Sequence, residues 1–255
     1  MFPQIYLFIM RNVIIFILLL FTSCTTHTQV VEKPEEIQTV IIDTTKHNLV
    51  IYKPQYDSIS LECFKKVEPS TYENAIFCCT AAFTLDYGNE VNHYRICGEH
   101  SSDGVFYNNP PLKRNTGIFI YYDNGFRFIY KPEMNREEQL LNMHNSIYHK
   151  GCAFTQEMMI HNYRIVKTTK SFDNYNRFRA LCEYENELCI IDSKEFITFG
   201  DFVRSLNNIG VKEALYMDMG GWDYSWYRPT NLSQGESIQY SSYHESITNL
   251  LVFYK

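Results

Sequence analysis

The chain has 255 residues, a formal net charge of −6, and a high aromatic content with 20 Tyr and 18 Phe. The acidic balance leaves no basic footprint for nucleic acid, so nucleic-acid partners are not expected. The length is enough for one sizeable core, and a single catalytic-sized domain is expected.

The first residues carry one cation, then an uncharged run from Val13 to Phe21, then Thr22, Ser23 and Cys24. Such a pattern is a secretory signal, too short for a membrane span. Phe21-Thr22-Ser23-Cys24 resembles a bacterial lipobox, with an aromatic first position as its departure. Residues 1–23 are therefore read as a lipoprotein signal peptide and Cys24 as the lipidated first residue of the mature chain. An uncleaved anchor is the alternative. The expected location is the cell envelope, on the periplasmic side or the outer surface. Residues 24–45 read as a flexible tether containing Glu32, Lys33, Pro34, Glu35 and Glu36, although the β-branched Val40, Ile41 and Ile42 can already belong to a first strand. Residues 46–255 remain for the folded domain.

Of the eight cysteines, setting Cys24 aside leaves an odd number, so a complete set of intramolecular disulfides is impossible. No CxxC pair offers a structural zinc site, and several cysteines sit in apolar runs as small buried hydrophobes. Few disulfides and no metal site are expected, and no motif names a cofactor.

His47–Tyr52 and Ile59–Phe64 have strand composition. Asn74–Phe83 is almost continuously apolar, as a strand buried on both faces would be, and its small end residues Thr80, Ala81 and Ala82 can line a pocket. His100 falls in a polar, glycine-containing loop, where a surface residue is the plain reading. Asp123-Asn124-Gly125 between two β-type runs marks a hairpin. Met134–Tyr148 is either helical or an insertion. Gln156, Glu157 and His161 surround an apolar pair, with an ordinary exposed carboxylate as the plain reading of Glu157. Arg177–Cys182 leads into a second hairpin, in which Arg179 shares a sheet face with Leu181. A cation pointing inwards needs an anionic partner, either a core carboxylate such as Asp218 or a ligand phosphate.

Residues 194–228 carry the clearest signals. Thr198 and Asp201 have capping-box spacing, and Phe199, Phe202, Val203, Leu206 and Ile209 give one apolar helical face that Gly210 can terminate. The apolar runs Leu188–Ile191 and Ala214–Met217 then suggest strand, helix, strand, with Asp218 just beyond a strand's carboxyl end, where ligands commonly bind. Gly220 and Gly221 permit close backbone approach, and Trp222, Trp226 and Arg228 follow. A β-turn leading into an aromatic edge strand accounts equally for this stretch.

Several segments together resemble the phosphodiester glycosidase family over residues 74–228. They are Ala81-Ala82-Phe83, Ala153-Phe154-Thr155-Gln156, Phe178-Arg179-Ala180, Phe199-Gly200-Asp201-Phe202, and Ala214 through Gly221. Two glycine motifs depart from the family pattern, at Thr80-Ala81-Ala82-Phe83 and Asp218-Met219-Gly220-Gly221-Trp222. Trp222–Arg228, Gly98-Glu99-His100 and Gln156–His161 look like a branch found among Bacteroidota lipoproteins. The resemblance implies hydrolysis of a sugar-1-phosphodiester, with a glycan or sugar phosphate as substrate. For that chemistry the sequence offers Asp218, Arg179 and Glu157 as catalytic residues, and His100, His161, Gly220, Gly221, Trp222, Trp226 and Arg228 as substrate-binding residues. The alternative is a glycan-binding surface lipoprotein that has kept the fold and lost the chemistry. The expected architecture is a single α+β domain, a curved, largely antiparallel mixed sheet with packed helices.

Overall fold

A computed structural model describes residues 35–44, 47–86, 94–219, 223–238 and 247–255. The chain divides into two units, residues 1–35 and 36–255, and all the described strands and helices belong to the second. The signal segment and Cys24 lie outside the described residues. Among those described, no helix is long and apolar enough to cross a membrane.

Hairpins dominate the unit. Gly117–Tyr122 pairs with Gly125–Tyr130 across a two-residue turn, Asp123 and Asn124, both at positive φ. Arg179–Tyr184 pairs with Glu187–Ser193 in the same manner across Glu185 and Asn186. Positive φ at both central residues gives the turn twist that matches paired strands; Asp123, Asn124 and Asn186 are of the types that tolerate it, and Glu185 is held in it beside Asn186.

These hairpins are parts of three larger sheets. The first has seven strands in the order Val40–Thr44, Leu49–Pro54, Glu187–Ser193, Arg179–Tyr184, Glu213–Tyr216, Met158–His161 and Arg164–Ile165. The second has five: Gly125–Tyr130, Gly117–Tyr122, Cys152–Gln156, Glu99–Ser102 and Val105–Asn108. A third, also of five, runs Glu236–Ser237, Ser225–Tyr227, Ala75–Thr80, Asn249–Tyr254 and Ser58–Cys63. The β-branched run at Val40 belongs to the first sheet, so the folded unit already includes part of the stretch that composition assigns to a tether.

The expected α+β class is overturned. The unit is a β-rich sandwich whose strand pairings, among the described residues, are all antiparallel, with only two α-helices, Arg136–Tyr148 and Phe199–Asn208. The strand–helix–strand pattern around the second helix is real. Its two strands both flank Arg179–Tyr184, however, and each pairs antiparallel with it, so the crossover creates no parallel ladder.

Side-chain alternation distributes the core. Leu181, Ile190 and Leu215 point from the first sheet into a central cluster shared with Phe77, Leu61 and Phe253 of the third and Phe119 and Phe154 of the second. The intervening residues Ala180, Cys182, Cys189, Ile191, Ala214 and Tyr216 point the other way and receive Phe199, Phe202, Val203 and Leu206 of the helix. The Arg136–Tyr148 helix covers the outer face of the second sheet through Met143. All seven described cysteines are free thiols, six of them buried.

Thr198 caps the Phe199–Asn208 helix, its Oγ1 accepting from the Asp201 amide at 3.0 Å. Only half of the expected reciprocal box forms: the Asp201 carboxylate accepts from the Thr198 hydroxyl at 2.6 Å and from Arg204, not from the Thr198 amide. Thr198→Ala removes the cap acceptor without opening the core. It should lower stability by about 1 kcal/mol, read as a shifted denaturant midpoint at unchanged slope.

Candidate functional site

The ends of all three sheets meet at one seam. Strand Ala75–Thr80 of the third sheet runs out into Ala81 and Ala82, which Asn249 clamps by accepting from the Ala82 amide at 2.6 Å and donating to its carbonyl at 3.1 Å. Strand Cys152–Gln156 of the second sheet hands the chain to Met158–His161 of the first, and Glu157 is the single residue between them. Gln156 fixes this crossing by donating to the Ala81 carbonyl at 3.2 Å and accepting from the Glu157 amide at 2.9 Å. Strand Glu213–Tyr216 ends beside it: the Tyr216 amide donates to the Glu157 carbonyl at 2.9 Å and the Asp218 amide to the Ala81 carbonyl at 3.1 Å. Glu157 and Asp218 thus occupy one junction, held by backbone ladders that stop there.

The two carboxylates differ in setting. Asp218 is 7% exposed, and its Oδ2 accepts from the Thr84 amide at 3.2 Å. Glu157 is fully buried, contrary to the plain reading of a surface carboxylate. Its Oε1 accepts from the amides of Thr169 and Lys170 and from the Thr169 hydroxyl. Its Oε2 is buried and accepts no hydrogen bond from the described residues. An unsatisfied buried carboxylate oxygen is costly, and such atoms in native structures call for an explanation.

Two cations reach the same seam. Lys170, on the loop that holds Glu157, places Nζ 3.2 Å from the Tyr216 hydroxyl and 4.4 Å from that ring's centroid. Arg114 stacks its guanidinium 3.6 Å from the centroid of Phe83. The loop that delivers it is pinned by buried Asn115, which accepts from the Leu112 amide and donates to the Thr155 carbonyl and hydroxyl at 3.0 and 3.1 Å. Gly98 closes the back of that loop at φ +80, where an added Cβ would lie 2.1 Å from Thr155 Oγ1. Burial lowers the Lys170 pKa, the charge of Arg114 lowers it further, and Glu157 and Asp218 oppose the shift. Tyr216 is pushed up by burial and then by Asp218. Four charged groups therefore act around one tyrosine.

Arg179 points inwards, as its phase with Leu181 requires, and is fully buried. Its partners are Asp192, gripped through Nε and Nη2 at 2.8 Å each, and Asp223, reached through Nη1 at 2.9 Å. Among the described contacts, Asp218 is linked to Arg179 through the adjacent backbone, where the Met217 amide donates to the Arg179 carbonyl at 3.0 Å. The guanidinium is thus committed to two core carboxylates rather than directed at a ligand.

The remaining candidates are dispersed. His100 is buried, stacks on Tyr107 at 4.8 Å and lies 3.1 Å from the Gly98 carbonyl; burial lowers its pKa. His161 lies between Glu213 at 2.8 Å and Glu133 at 3.2 Å, on the strand that carries the sheet to its edge. Trp226 packs with Val67 and Cys78, its indole N–H donating to the Val67 carbonyl at 2.7 Å. Arg228 donates to the carbonyls of Ala75, Ser233, Pro69 and Tyr72, gathering a turn. Gly220, Gly221 and Trp222 lie outside the described residues. Among the described residues, no group of three or more His, Cys, Asp or Glu side chains is placed to hold a metal ion. Arg114 and Lys170 escape sequence reasoning altogether: both stand in polar, non-periodic loops, where a lone cation reads as solvated.

No family model matches the chain, and no curated protein does. Solved structures do. The catalytic domain of zebrafish N-acetylglucosamine-1-phosphodiester alpha-N-acetylglucosaminidase, auto-inhibited by its pro-peptide, superposes with a TM-score of 0.51 at 13% identity, covering 88% of this chain and 85% of that one. A hypothetical protein from Synechocystis gives 0.56 at 10% identity, covering 86% of this chain and 62% of the other. At these identities the likeness is one of fold.

Replacing Arg179 by methionine leaves Asp192 and Asp223 buried without their counter-charge. The variant should lose about 3–5 kcal/mol of stability, measured by chemical unfolding. Wild-type stability in Arg179→Met would show that the triad holds nothing together.

Proposed function

We propose that this chain is an exported, lipid-anchored hydrolase of sugar-1-phosphodiester bonds in glycans, with Asp218 and Glu157 as its catalytic carboxylates. The observation that carries the reading is the buried Oε2 of Glu157, an acceptor without a partner among the described residues, in the seam that also holds Asp218. The fold likeness to a phosphodiester glycosidase catalytic domain supports the choice of reaction.

In this reaction water adds to the anomeric carbon, the C1–O bond to the phosphate breaks, and the free sugar and a phosphomonoester are released. Two carboxylates suffice for the proton traffic and for stabilising positive charge on the sugar ring. Glu157 is suited to take the proton of the incoming water, because Oε1 is anchored by Thr169 and Lys170 while Oε2 remains to accept an O–H. Asp218, aimed by the Thr84 amide, is suited to the anomeric side. Arg179 serves as a positioning residue: through Asp223 and the Met217 amide it holds the chain on either side of Asp218.

Glu157→Gln and Asp218→Asn keep shape and remove charge. Each should reduce turnover of a simple sugar-1-phosphodiester, such as the methyl ester of N-acetylglucosamine 1-phosphate, at least roughly a hundredfold while the protein stays folded, consistent with the usual contribution of a positioned acid or base. Folded variants of both with wild-type turnover would remove the catalytic assignment. Sugar binding without turnover in the wild type would favour the glycan-binding alternative.

Lipid anchoring at Cys24 has its own test. Cys24→Ala should abolish acylation and move the protein out of the membrane fraction. Unchanged membrane association would end the lipoprotein reading.

A further inference from the structure

Arg114 and Lys170 form neither an ion pair nor a side-chain hydrogen bond with a carboxylate among the described residues, although both are half-buried. Each rests on an aromatic ring, and the rings touch: Phe83 and Tyr216 lie 5.5 Å apart at 31°. The two cations are thereby held at opposite ends of one aromatic bridge, close enough for Arg114 to act on Lys170. Cation–π contact is a weak attraction and satisfies none of the guanidinium's N–H donors. Holding two like charges together, partly out of water, is costly; Glu157 and Asp218 offset that cost for Lys170 through space, and an anion bound between the two cations offsets it further. Arg179, the other guanidinium nearby, is already saturated by Asp192 and Asp223.

We propose that Arg114 and Lys170 together form the phosphate-binding subsite of this seam, holding the phosphodiester monoanion of the substrate and the phosphomonoester product. The assignment rests on the hydrolase reading for its choice of anion. Arg114 supplies the planar fork that matches two phosphate oxygens, and Lys170 a point charge on a short, anchored loop. Asp218 and Glu157 then lie on the sugar side, where negative charge is useful, and the cations on the leaving-group side. No covalent step is added: the subsite binds and orients.

The test is equilibrium binding of inorganic phosphate and of α-glucose 1-phosphate to the full-length protein in detergent, followed by calorimetry at fixed ionic strength. The wild type should bind both. Arg114→Met and Lys170→Met should each weaken binding by roughly tenfold or more, as expected for a lost hydrogen bond to a charged group. Arg114→Lys, which keeps the charge and loses the fork, should recover part of the loss, and thermal melting confirms that each variant is folded. Lys212→Met, which removes a cation paired with Glu183, should bind as the wild type does. A wild type that binds neither probe, variants that bind equally well, or acetate competing as strongly as phosphate would overturn the subsite. Phosphate binding lost in Arg114→Met, with no sugar phosphodiester turned over by the wild type, upholds the subsite and sinks the hydrolase reading. Turnover indifferent to Arg114→Met does the reverse.

Discussion

A guanidinium sealed between two aspartates ties this fold together. Arg179 sits directly opposite Asp192 on the neighbouring strand of the first sheet, and it reaches across to Asp223 at the start of the Ser225–Tyr227 strand of the third. Asp223 in turn accepts from the Ser225 hydroxyl at 3.1 Å. An unpaired charge at that depth would be prohibitive, so the sheets must approach in the one arrangement that brings both carboxylates to it. Hydrophobic surfaces can slide over one another with little penalty; a bidentate arginine cannot. The triad therefore fixes which strand ends meet at the seam, and with them the relation of Glu157 to Asp218.

Legibility in the sequence follows from how local each cause is. The Phe199–Asn208 helix and the hairpins turning at Asp123-Asn124 and Glu185-Asn186 are specified by neighbouring residues, and composition finds them or their neighbourhood. Asp218 is legible because an apolar run stops immediately before it. The inward direction of Arg179 is legible from a period of two, but its partners are not: Asp192 and Asp223 become neighbours only through a hairpin register and a contact between sheets. Fold class fails for a related reason. The hairpin signals point correctly to a largely antiparallel sheet, but nothing local reveals how many strands pair into three sheets around so few helices, or that the Arg179–Tyr184 strand lies between the two strands that flank the Phe199–Asn208 helix in sequence and makes both of those ladders antiparallel.

The aromatic stretch after Gly221 shows the opposite error, in which sequence proximity to Asp218 suggests a shared site. Trp226 pairs with Cys78, and alternation turns its side chain to the outer cluster with Val67, Tyr224 and Val252. Arg228 is engaged by four carbonyls of a turn. Chain neighbours on a strand diverge, whereas Phe83, Arg114, Lys170 and Tyr216, far apart in sequence, converge because three sheets end together.

The two kinds of cation in the molecule separate structure from chemistry. Arg179 has two carboxylates and a backbone carbonyl around it, so any ligand anion would have to displace interactions already made at short range and without water. Among the described residues Arg114 and Lys170 have aromatic faces behind them and no carboxylate in ion-pair contact, and apart from the bond from Lys170 to the Tyr216 hydroxyl an arriving anion gains their donors without displacing a partner. The nature of the proposed leaving group makes this placement effective. A phosphomonoester, whose second ionisation lies near pH 6, departs as a stable anion and needs less protonation than a sugar alkoxide would. Fixed positive charge on its side of the bond can then do much of what a general acid does in an ordinary glycosidase, leaving Glu157 and Asp218 to the water and the anomeric carbon.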